Sequence, residues 1–79
     1  MLENQVKIVY LGLGSNLGNR IKNIELAKIR LSEKGVLILK TSSYYETLSW
    51  PNPKMPKYIN IVLKIKTILS PTELLNICK

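Results

Sequence analysis

The chain has 79 residues, enough for one small domain or part of one, since typical domains run to ~100–150 residues. Its hydrophobic content of 46% excludes a disordered chain, no apolar run approaches the ~18–20 residues of a membrane span, and the start lacks a signal-peptide pattern, so a cytoplasmic protein is expected. With no His, no Asp and a single Cys, histidine catalysis, a Cys/His zinc site and an internal disulfide are excluded, while a net charge of +7 leaves open a solvated lysine surface or a face for nucleic acid, anionic lipid or phosphorylated ligands.

The first element is Val6 to Leu13, an apolar, β-branched run of strand length. It ends in a turn cluster, Gly14 to Asn19, that leads into a helical pattern with Ile21, Ile24, Ala27 and Leu31 on one face. Asn16 or Asn19 can cap that helix, and Gly35 is a natural stop. A second strand opens at Val36 and continues through Tyr45, placing one of Tyr44 and Tyr45 in the core and the other on the surface. Three prolines, Pro51, Pro53 and Pro56, then impose a loop of a length that is often functional. The third strand carries Ile59, Ile61, Leu63 and Ile65 on its core face, and Tyr58, Asn60, Val62 and Lys64 on the other. Ser70-Pro71-Thr72-Glu73 is a capping box with Pro at the first helical position, and Leu69 and Leu74 are spaced as a hydrophobic staple. The apolar content of this last helix is Leu74, Leu75, Ile77 and Cys78, with Cys78 read as a reduced core residue.

The order β-α-β-β-α predicts an α+β, ferredoxin-like fold, with an incomplete antiparallel sheet and both helices on one face. A fourth strand would lie beside the first; without it that strand has an unpaired edge and a route to self-association. Residues 1–79 are accordingly read as a single incomplete domain.

Gly12, Gly14 and Gly18 sit between strand and helix, where a phosphate loop would sit, but the spacing matches neither the dinucleotide fingerprint nor a Walker loop. The plainer reading is a tight turn whose backbone Asn16 fixes. Tyr58 beside Asn60 is either ordinary packing or a recognition pair, an aromatic face with an amide able to read a flat heterocycle by stacking and paired hydrogen bonds.

Four blocks are recognisable in order: Gly12-Leu13-Gly14-Ser15-Asn16-Leu17-Gly18-Asn19-Arg20, Ser42-Ser43-Tyr44-Tyr45-Glu46-Thr47, Pro56-Lys57-Tyr58-Ile59-Asn60 and Ser70-Pro71-Thr72-Glu73-Leu74-Leu75. Together they resemble the N-terminal half of 6-hydroxymethyl-7,8-dihydropterin pyrophosphokinase, the folate-pathway enzyme that moves a pyrophosphoryl group from ATP to a pterin alcohol. The resemblance implies that Gly14, Thr47, Leu48, Trp50, Tyr58 and Asn60 bind the pterin, Tyr58 by stacking and Asn60 through its amide. Leu48, Ser49 and Trp50 fall where the family carries prolines and then an apolar or aromatic residue; loss of proline there leaves the loop start less rigid.

The family's ATP and magnesium ligands belong to a later half that these blocks do not reach, and Glu46 alone cannot hold two magnesium ions. The chain is therefore expected to lack catalytic and metal-binding residues, to bind neither ATP nor magnesium well, and to be inactive alone. The implied partners are the pterin and a separately encoded C-terminal half; no membrane partner is expected. The alternative function is a small basic interaction module that binds RNA through a sheet face, using Tyr58, Lys57, Lys64 and Lys66.

Overall fold

The strongest apolar alternation in the chain, Ile59 to Ile65, forms the middle of the sheet. In the computed structural model, which describes residues 5–49, 51–52 and 54–78, the elements run β1 (Lys7–Ser15), α1 (Arg20–Glu33), β2 (Leu37–Thr41), β3 (Tyr45–Thr47), β4 (Tyr58–Thr67) and α2 (Pro71–Cys78). β4 is central: β1 pairs with one side, β2 and β3 with the other, all antiparallel to it. This is the expected α+β, ferredoxin-like arrangement with an unclosed sheet. Among the described residues no strand pairs with the outer edge of β1, and no helix is long and apolar enough to cross a membrane.

The core lies between the sheet and the two helices. Ile59, Ile61, Leu63 and Ile65 meet Ile24, Ala27 and Leu31 of α1 and Leu74 of α2, with Leu13 and Val36 completing the buried set. Leu31, Ile61, Leu63 and Ile65 are 0% exposed, so each contributes roughly 1.5–3 kcal/mol of apolar burial. Ile21, expected on the same stripe, is 50% exposed and stands outside the core cluster. Leu75 is exposed too, whereas Ile77 and Cys78 pack against the core.

Local chemistry sets the helix ends. Asn19, not Asn16, caps α1, its side-chain oxygen accepting from Lys22 N at 3.1 Å. At the other end Gly35 takes φ +84°, Gly35 N donates to Ser32 O and Val36 N to Leu31 O, a Schellman exit with both apolar partners buried. The capping box of α2 forms: Glu73 N donates to Ser70 Oγ at 3.2 Å and Ser70 N to Glu73 Oε1 at 3.1 Å. Leu69 and Leu74 both join the core as the staple spacing requires.

The strands differ from the sequence expectation: β1 begins at Lys7 and β2 at Leu37, each one residue later than expected, and two differences are larger. β1 continues past Leu13 to Ser15, because Gly14 pairs with Asn60 and Ser15 with Ile59. The expected strand from Val36 to Tyr45 is broken into β2 and β3. At the break Val62 N donates to the Ser42 hydroxyl at 2.8 Å while Ser42 N donates to Val62 O at 2.9 Å, so a side chain takes one ladder position. The break frees Tyr44 from the sheet. Neither tyrosine is core: Tyr44 is 41% and Tyr45 46% exposed, since Tyr44 reaches sideways to Glu25 of α1 and Tyr45 lies opposite Asn60 on the helix-free face.

Candidate functional site

Three strands bring four of the sequence-predicted residues together. Gly14 on β1 and Tyr45 on β3 flank Asn60 on β4, and Thr47 pairs with Tyr58. All lie on the sheet face away from the helices, because Ile59 and Ile61 alternate inward beside them. Asn60 donates from Nδ2 to Thr47 Oγ1 at 2.8 Å and to Tyr45 O at 3.3 Å. A main-chain carbonyl only accepts, so these partners fix which end of the amide is NH2. Its Oδ1 is thereby turned toward β1: a Cβ built on Gly14 would stand 2.6 Å from it and 3.4 Å from the Tyr58 ring. Glycine at 14 is what leaves room for an oriented amide beside a half-buried aromatic ring.

Leu48 follows Thr47 directly and is 62% exposed. Trp50 lies outside the described residues.

Three residues given no site role by sequence support this group. Ser49 is 6% exposed, donates to Pro56 O at 2.5 Å and accepts from Asn16 Nδ2 at 3.4 Å. Arg20 Nη1 donates to Lys57 O at 2.7 Å and to Glu46 Oε2 at 3.4 Å. Asn16 therefore reaches across to the loop, and Asn23 holds the β1–α1 turn instead, donating to Leu17 O at 2.9 Å and Ser15 Oγ at 3.0 Å. A lone serine in a proline-rich loop carries no pattern signal, and Arg20 stood in a recognisable block without a role attached to it.

The donors of the described residues do not fit a magnesium ion. Among the described residues no three His, Cys, Asp or Glu side chains come together, whereas magnesium needs near-octahedral oxygen coordination. Glu46 is engaged by Arg20 and Glu73 by the α2 cap. Glu25 accepts from the Tyr44 hydroxyl and pairs with Lys28 at 3.4 Å. The Tyr44 bond is the main cause holding the Glu25 carboxyl below its usual value, and the same bond raises the Tyr44 hydroxyl. Burial pushes the Cys78 thiol up, which makes it a poor nucleophile.

The profile of the 7,8-dihydro-6-hydroxymethylpterin-pyrophosphokinase family matches residues 10–79. The chain belongs to this family. A 2-amino-4-hydroxy-6-hydroxymethyldihydropteridine pyrophosphokinase of Aquifex aeolicus is 48% identical over 67 residues, covering 85% of this chain and 41% of that protein. The pyrophosphokinase of the same name from Porphyromonas gingivalis is 36% identical, covering 89% of this chain and 48% of its own length. A folic acid synthesis protein of Pneumocystis carinii is 45% identical over 75 residues, covering 92% of this chain and 10% of itself. The chain thus spans from about a tenth to about half of the length of these curated relatives. The matched span contains all six pterin-contact positions that the resemblance implied.

Proposed function

We propose that this chain supplies the pterin-recognising side of a pyrophosphokinase site. The observation that carries the reading is the Asn60 amide, locked by Thr47 and the Tyr45 carbonyl with its oxygen aimed over Gly14 and the Tyr58 ring alongside. An oriented amide next to an aromatic face is suited to the edge and face of a fused, hydrogen-bonding heterocycle. The expected ligand is a 6-hydroxymethylpterin, with Thr47, Leu48 and Trp50 at the head of the loop completing the contact. Transfer of pyrophosphate from ATP, with magnesium, is the family reaction; among the described residues Glu25, Glu46 and Glu73 are engaged elsewhere and no three possible metal ligands come together, so these 79 residues are read as binding pterin without turning it over.

Titration of the purified chain with 6-hydroxymethylpterin, followed by Trp50 and tyrosine fluorescence, tests the binding. Saturable quenching that weakens about tenfold or more in Asn60→Ala supports it; a folded chain with no response overturns it. ATP-dependent consumption of pterin in a coupled assay would overturn the catalytic half of the statement.

One observation favours the RNA reading: Lys40 pairs with Lys64, Leu37 with Lys66 and Tyr10 with Lys64, which groups cations and an aromatic on the helix-free face. Salt-dependent binding of single-stranded RNA, without pterin binding, is the result that would select it.

A further inference from the structure

The Thr47 side of the candidate site stands on a strand too short to hold itself. β3 has three residues, all exposed, and the backbone leaves the sheet immediately before it. Three ladder positions give few hydrogen bonds, and short pairings with exposed backbone open readily. Yet Thr47 must stay within 2.8 Å of Asn60 for the amide to keep its orientation. Something outside the ladder has to hold β3.

Two tethers do so, one from the helix side of the sheet and one beyond the end of the ladder. Glu46 pairs with Ile59, so its side chain alternates to the helix side, where Arg20 at the start of α1 meets it. The same Nη1 atom donates to the carbonyl of Lys57, the residue before β4, at 2.7 Å. One cation thus ties β3 to the entry of β4. The ion pair with Glu46, at 3.4 Å with half-exposed partners, contributes little alone; the charge-assisted bond to a fixed carbonyl is the stronger contact. Beyond the end of the ladder, Ser49 bridges seven residues to Pro56 O at 2.5 Å and is buried against Asn16 of the β1–α1 turn.

We infer that Arg20 and Ser49 are positioning residues: they hold Thr47 opposite Tyr58 and in reach of Asn60 before any ligand arrives, and so set the affinity of the site without touching the ligand. The inference rests on the pterin reading for its ligand and on geometry alone for the ordering of β3.

The test uses the full chain and the variants Arg20→Ala, Arg20→Lys, Ser49→Ala and Ser49→Thr, with two readouts. The first, without ligand, is amide hydrogen exchange read residue by residue. Arg20→Ala and Ser49→Ala are expected to speed exchange at residues 45–49 and 57–58 by about tenfold, leaving the β1–β4 ladder and residues 24–31 unchanged. Lysine at 20 and threonine at 49 restore protection, because an ammonium and a hydroxyl can serve the same acceptors. The second is the pterin titration, where the alanine variants bind about tenfold more weakly and the conservative ones recover. Unchanged exchange in both alanine variants overturns the inference. Exchange accelerated throughout, with a lowered melt, also overturns it, since the two residues would then be generic stabilisers. Absent pterin binding by the unaltered chain sinks the pterin reading, and the exchange readout still decides whether β3 is held in this way.

Discussion

The Asn60 side-chain oxygen lies 2.6 Å from the point where a side chain on Gly14 would begin. The two residues are register partners on β1 and β4, so the backbone offers neither a way to retreat. A methyl at 14 must therefore turn the Asn60 amide, which loses its bonds to Thr47 and Tyr45 O. Gly14→Ala is expected to change stability by no more than about 1 kcal/mol, because strand alanine offsets part of the loss. It should also weaken pterin binding by at least about tenfold. Side-chain amide resonances of Asn60 and the fluorescence titration check both halves; a Gly14→Ala chain with native amide shifts would show the close approach to be irrelevant.

The Tyr44–Glu25 bond links the break between β2 and β3 to α1 and makes stability depend on pH at both ends. Glu25 has its folded value lowered from 4.5, so its contribution is present above that value and is lost as pH falls through the lowered one. Tyr44 has its value raised from 10.0, so its contribution is present below that and is lost as pH rises through the raised one. Melting temperatures of the unaltered chain and Tyr44→Phe should differ most between about pH 5 and 9, and should converge only as pH falls through the lowered Glu25 value or rises through the raised Tyr44 value. A constant difference across the whole range would exclude the bond as its source.

Ile61 is 0% exposed at the centre of β4, while Val62 beside it faces away from the helices. Ile61→Ala should cost about 2–5 kcal/mol, and Val62→Ala less than about 1.5 kcal/mol. A domain this small holds only about 3–5 kcal/mol, so the first variant should lose its cooperative melt and the second keep it. Circular dichroism during urea unfolding separates the two.

Removing either half of the α2 capping box, by Ser70→Ala or Glu73→Ala, should cost about 1 kcal/mol. The loss belongs to α2 and its Leu74 contact. It should therefore appear as lower helical signal and a lower melt, with pterin affinity unchanged. A variant that weakened pterin binding without shifting the melt would tie α2 to the site, against the geometry.

Sequence alone determined the elements whose causes are local. Alternation placed Ile59, Ile61, Leu63 and Ile65 inward and Tyr58 and Asn60 outward, the Ser70-Pro71-Thr72-Glu73 signal started α2, and Gly35 ended α1. The recognisable blocks also named the residues that the sheet brings together, Gly14, Thr47, Tyr58 and Asn60. Only the tertiary structure decided what depends on partners distant in the chain. The Ser42 hydroxyl takes a ladder position from Val62, which splits the second strand and sends both tyrosines to the surface. Asn16 looked like the residue fixing its own turn, yet its amide reaches Ser49, 33 residues away, and Arg20 ties Glu46 to Lys57. Periodicity and capping are written within a few residues of where they act, whereas a hydrogen bond between remote side chains has no sequence pattern until the fold brings its ends within about 3 Å.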